Sequence, residues 1–132
     1  MARMAEDEGE IVRGAIDAFN RGDFEDVIAF THPEIEVIRL GGLPTVVGRE
    51  AAFGLMLPDA FEIQHMEVRD VRAEGEVVLV TADFHARGAG SGIELNRVSY
   101  NVFWIEDGLI RRMGTYLEES EAQEAAGFSE TP

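Results

Sequence analysis

An α+β domain is the fold class that the sequence predicts, on three observations. The first half places its apolar residues at helical spacing, the second half alternates with a period of two, and 132 residues suffice for one domain with its own core. Helices followed by a run of long strands imply one curved antiparallel sheet, covered on one face by the N-terminal helices. The expectation is a single domain over 1–132, with its core at about 9–127 between acidic termini.

Ile11, Val12, Ala15, Ile16 and Phe19 share one face of a first helix. Asn20-Arg21-Gly22 closes it, with Gly22 suited to the left-handed residue beyond a C-cap. Asp23 caps a short second helix that buries Phe24, Val27, Ile28 and Phe30. Pro33 drives His32 out of helical backbone, so this helix ends by Thr31 or His32. Residues 35–40 read as a strand and 41–44 as a loop. A third helix over 49–57 buries Phe53, Met56 and Leu57 and stops at Pro58.

Four β segments follow, at 61–73, 77–87, 93–105 and 109–117. Glu74-Gly75 and Asp107-Gly108 are hairpin turns, the second a type I′ sequence. The glycines of 88–92 lie between two strands with no helix after them, which argues against a phosphate loop. Ser120 to Gln123 forms a capping box for a tail helix that Gly127 ends. Strands this long bend through bulges.

Alternation assigns the faces. Val78, Val80, Ala82, Phe84 and Ala86 are expected to face the helices, as are Val98, Tyr100, Val102 and Trp104, then Met113, Thr115 and Leu117. The outward set is His85, Arg97, Ser99, Asn101, Phe103 and Tyr116. Its mixture of aromatic and small polar groups reads as a semi-polar homodimer interface. In the 61–73 segment Ile63 and Val71 sit on one parity and Met66 and Val68 on the other, which a bulge reconciles.

The chain has 26 acids against 11 bases, for a formal net charge of −15, and every base is arginine. Such a balance argues against nucleic acid or an anionic membrane as the main partner. The acids concentrate at the ends: residues 118–132 hold five and no base. Without cysteine there is no disulfide, thiolate site or cysteine nucleophile, and without lysine no Schiff base. His32, His65 and His85 lack metal-ligand spacing, so no metal or cofactor is expected. No apolar stretch approaches the ~20 residues of a membrane span, and the N-terminus has no signal-peptide pattern, so the expected location is cytoplasmic.

Several segments carry a family resemblance. Ala18-Phe19-Asn20-Arg21-Gly22-Asp23-Phe24, His32-Pro33-Glu34-Ile35-Glu36, Gly48-Arg49-Glu50-Ala51, Trp104-Ile105-Glu106-Asp107-Gly108-Leu109-Ile110, Tyr116 and the tail Glu124-Ala125-Ala126-Gly127 occur in this order. Together they resemble the SnoaL-like polyketide cyclase and ketosteroid isomerase branch of the NTF2-like superfamily. The resemblance implies a cystatin-like cone, N-terminal helices packed in a strongly curved antiparallel sheet, commonly a homodimer, with a pocket between helices and sheet. In that pocket Ala15 stands where the isomerases have a tyrosine, Arg39 near the place of their general-base aspartate, and Tyr100 at their second aspartate. Thr115 and Glu118 are the counterparts of the cyclase aspartate.

The expected lining is Phe19, Val37, Arg39, Phe53, Leu57, His65, Phe84, Tyr100, Val102, Trp104, Met113 and Thr115. Tyr100 as an oxyanion donor, Arg39, and His65 as a base are the catalytic candidates. A buried Arg39 needs a partner, from Glu36, Glu94 or Asp83 or from a ligand carboxylate. The expected occupant is a small apolar or aromatic molecule with an anionic or carbonyl group. Two functions stay open: a cofactor-independent acid/base enzyme (isomerase, cyclase or hydrolase), or a non-catalytic ligand-binding or dimerisation module of the same fold.

Overall fold

The computed structural model describes residues 4–39, 43–56 and 61–128, with side chains over 8–39, 43–54 and 64–128. The elements run α1 (Met4–Asn20), α2 (Phe24–Ala29), β1 (Thr31–Ile38), β2 (Val46–Val47), α3 (Arg49–Met56), β3 (Phe61–Glu74), β4 (Val77–Gly88), β5 (Glu94–Glu106), β6 (Leu109–Tyr116) and α4 (Glu119–Ala126). The strands form one curved six-stranded sheet in the order β2-β1-β6-β5-β4-β3. Its pairs are antiparallel except β1 with β6, which are parallel. A parallel pair needs a long crossover, and the chain supplies one through β2, α3 and three further strands.

Local chemistry sets most boundaries. The Asp23 carboxylate accepts from the Asp26 N–H at 3.1 Å and so starts α2. Asp107 and Gly108 have φ of 54° and 77°, as a type I′ turn requires. Gly127 takes φ 76° beyond α4, but the start of that helix differs from expectation. Its N-cap is Glu118, with no side-chain cap bond, and Ser120 lies within the first turn. β1 starts at Thr31 rather than 35. Its pairing with β6 shifts register between Thr31 and Glu36, so Pro33, which has no N–H, sits where the ladder is already broken. The two-residue β2 lies within no strand that the sequence predicts. Leu57, Pro58 and residues 40–42 are outside the described residues, as is the Met56 side chain.

The core lies between α1–α3 and the inner face of the sheet. Val12, Ile35, Val78, Val80 and Ile110 are its fully enclosed members, with Ala15, Ile16, Phe103 and Ile105 around them. α1 and α2 meet where α1 has no side chain: a Cβ at Gly14 would lie 2.8 Å from the Phe30 ring. A register shift between Val68 and Asp70 puts Met66, Val68, Val71 and Ala73 against this one core, the reconciliation that the mixed parity of 61–73 calls for. At the sheet edge the Asn20 amide donates to the Met66 carbonyl and accepts from the Met66 N–H, both at 2.8 Å. It thereby occupies backbone groups that an edge strand leaves open.

β5 faces opposite to the expectation. Register pairs Val78, Val80 and Ala82 with Phe103, Asn101 and Ser99, so the odd residues of β5 face the helices. Tyr100, Val102 and Trp104 lie on the outer face. There they join Leu79 and Tyr116 under Ala122 of α4 and under Phe128. The physical reason is that both faces of β5 are covered. An apolar stripe identifies a buried face, but not the layer that buries it.

Candidate functional site

On the inner side of β5 and β6 a row of polar side chains interrupts the apolar face. On β5, Ser99 and Asn101 are 5% and 4% exposed, and Thr115 pairs with Asn101 from β6. Asn101 Nδ2 donates to the Val80 carbonyl at 3.3 Å and to Ser99 Oγ at 3.1 Å. Thr115 Oγ1 donates to Asn101 Oδ1 at 3.1 Å. Burying three polar side chains costs free energy unless they are hydrogen-bonded, and here each one is.

Arg39 follows the end of β1, on the parity of Ile35 and Val37. Because Ile38 pairs with Gly114, it stands beside Thr115. It is half-buried and makes no hydrogen bond or ion pair among the described residues. Its expected partners are engaged elsewhere: Glu36 with Arg111 at 3.2 Å, Asp83 with Arg69 at 2.8 Å and Glu94 with Arg87 at 3.4 Å. Val37 and Met113 pack against the core beside it, and Phe84 shares the inner parity of β4 opposite Met66. Phe19 and Phe53 are half-buried on α1 and α3.

Of the expected lining, Val37, Met113 and Thr115 lie on the inner side, Arg39 follows β1 on the same parity, and Tyr100, Val102 and Trp104 lie on the opposite face. The interior residue at that level of β5 is Asn101, so Tyr100 cannot donate to an oxyanion there. Trp104 instead lies under the Arg112 guanidinium, 4.9 Å from the ring centroid. His65 is exposed, pairs with His85 across the sheet edge, and lines a separate groove of about 290 Å³ between α1 and β3 with Arg13, Asp17, Asn20 and Glu67. The groove is open and mixed in charge, and none of the inner polar residues borders it. Leu57 lies outside the described residues.

The outward set expected for a dimer changes too. Ser99, Asn101 and Phe103 are interior, the exposed Arg97 shares their side of β5, and Tyr116 lies beneath α4. Burial pushes the Tyr116 phenol above its ordinary pKa; the Arg112 charge pulls it down and Glu121 pushes it up. One signal for the missed residues was present in the sequence. Ser99 and Asn101 share their parity with Phe103 and Ile105, which no solvated face would carry together.

The sheet's inner positions hold no Asp, Glu or His among the described residues, so the sheet offers donors and acceptors but no general base. No group of three or more His, Asp or Glu could hold a metal ion among the described residues, and no helix among them is long and apolar enough to cross a membrane.

The comparisons agree with this architecture. The SnoaL-like domain model matches residues 12–113, and the chain belongs to that family. No curated protein matches the sequence significantly. Among solved structures, an NTF2-like protein of unknown function from Burkholderia pseudomallei has a TM-score of 0.76 at 18% identity, over 91% of this chain and 97% of that one. A hypothetical protein with a ketosteroid isomerase-like fold from Catenulispora acidiphila, in complex with trimethylamine, has 0.75 at 16%, over 93% and 98%. An epoxide hydrolase of M. tuberculosis described as LEH-like has 0.76 at 15%, over 92% and 90%. At such identities the likeness concerns the fold, and chemistry has to be argued from the residues.

Proposed function

We propose that this SnoaL-like domain binds a small molecule between α1–α3 and the inner face of the sheet. The Ser99–Asn101–Thr115 row and Arg39 form the polar end of the site, and Val37, Met113, Phe53 and Phe84 its apolar walls. One observation carries the reading: a connected, largely buried polar row is kept beside an apolar core, next to a cation that no carboxylate in the described chain neutralises. A hydrophobic interior with a few convergent polar groups is the usual form of a ligand site. Binding is favoured over acid/base catalysis because the inner sheet positions supply no carboxylate or imidazole. Catalysis as an isomerase, cyclase or hydrolase would require a base from a helix or a loop. Homodimerisation belongs to the same reading, through the outer face that α4 leaves open around the exposed His85 and Asn96.

Thermal-shift screening with small apolar acids and their neutral analogues tests the site. A ligand held at about a hundred times its Kd adds about 2.7 kcal/mol of stability, a Tm rise of several degrees. The rise is expected in wild type and in the outer-face variant Val98→Thr, and is expected to be lost in Asn101→Leu. Equal shifts in all three proteins would place binding elsewhere. Light scattering that finds a monomer would remove the dimer.

A further inference from the structure

The row has a fixed hydrogen-bond direction, and that direction selects a ligand. Val80 offers a carbonyl oxygen, which can only accept, so the Asn101 atom that faces it must be Nδ2. A reversed amide would set two acceptors against each other at 3.3 Å. With Nδ2 so placed, its two hydrogens go to Val80 and to Ser99 Oγ. Oδ1 is left to accept, and the one hydrogen of the Thr115 hydroxyl goes to it. Thr115 Oγ1 therefore has only lone pairs to offer a ligand. Ser99 Oγ has accepted, and its own hydrogen donates to nothing in the described chain. An occupant meets one donor at Ser99 on β5, one acceptor at Thr115 on β6 and one cation at Arg39 at the end of β1, whose long stem covers most of the two strand spacings, about 10 Å, that separate β1 from β5.

We infer that the occupant is a small hydroxy acid with an apolar body. Its carboxylate lies toward Arg39 and the Ser99 hydroxyl, its own hydroxyl donates to Thr115, and its body rests on Val37 and Met113. The inference rests on the pocket reading above and narrows it from small molecules to one chemical class. A guanidinium holds a carboxylate by forked, charge-assisted bonds, which supplies affinity; Thr115 supplies discrimination, because it has no hydrogen left for a second acceptor.

Calorimetric titration of matched probes tests the assignment: 3- and 4-hydroxyphenylacetate, their methoxy ethers, and their methyl esters. In wild type at least one hydroxy acid is expected to bind about tenfold more tightly than its methoxy ether, because the ether cannot donate to Thr115. It is expected to bind at least as much more tightly than its ester, which Arg39 cannot pair. Thr115→Ser keeps the hydroxyl and is expected to keep the preference over the ether. Thr115→Val fills the same space without an acceptor and is expected to abolish it. Methoxy acids binding as tightly as hydroxy acids would overturn the inference. Esters binding while the acids do not would also overturn it, with the pocket reading intact. If no probe binds and the thermal-shift screen finds no ligand either, the pocket reading itself fails.

Discussion

The two faces of the sheet bury side chains to different extents and in different ways. The inner face packs under three helices, and its core draws residues from five of the six strands, β1, β3, β4, β5 and β6. The outer face is covered only near its centre, by one eight-residue helix and Phe128, and its aromatic groups are shared with arginines. Arg72 lies over the Phe128 ring at 4.7 Å and Arg112 over Trp104 at 4.9 Å. The inner face spends its polar groups on one another, while the outer face leaves them to solvent and to cation–π contacts. Buried, mutually satisfied polar groups are the ones that can orient a ligand, because their donors and acceptors do not rotate to suit water.

The comparison breaks most readily at its hydrophobic members. Phe103→Ala on the inner face is expected to cost about 3–5 kcal/mol in urea unfolding, since neighbours from several strands cannot all close the gap. Phe128→Ala on the outer face is expected to cost about 1.5–3 kcal/mol, because the adjacent terminal helix can settle into the space. Equal losses would mean that the two layers are equally rigid.

Asn101→Leu sharpens the polar side of the comparison. It removes an amide that holds two hydroxyls and a carbonyl, and about 1–3 kcal/mol is expected to be lost. The adjacent outward change Tyr100→Phe is expected to stay within about 0.5 kcal/mol, measured in the same unfolding series. A neutral Asn101→Leu would show that the row does not act as a connected unit.

The smallest effect concerns pH. Tyr116, on the outer face, has its pKa raised above 10.0 by burial. Its unfolded form loses the proton first, so this contribution to stability is complete below about pH 10 and is lost as pH rises through the higher folded value. Tyr116→Phe is therefore expected to flatten the alkaline decline in stability above pH 10, followed by urea midpoints. A decline of unchanged slope would assign it to other groups.

The local signals were legible because each depends on chemistry within a few residues. Asp23 finds the Asp26 N–H three positions away, Asp107-Gly108 adopts its turn from its own backbone preferences, and the mixed parity of 61–73 announced a bulge. Ser120 misled for the same local reason. A capping pattern needs the helix to begin there, and α4 begins earlier, against the outer sheet. Arg39 was legible as a cation that needs a partner, and the three carboxylates expected to supply one turn out to be engaged elsewhere.

By itself the sequence determined the α+β class, the order of helices and long strands, the lack of cysteine and lysine chemistry, and the alternation of side chains along each strand. Only the tertiary structure decided which alternating set faces which layer. A period of two distinguishes two faces but cannot label them, because the label depends on what packs against each from far along the chain. In β5 that label came from α4, some fifteen residues past the strand. It turned Tyr100 outward and placed Ser99 and Asn101 at the centre of the candidate site.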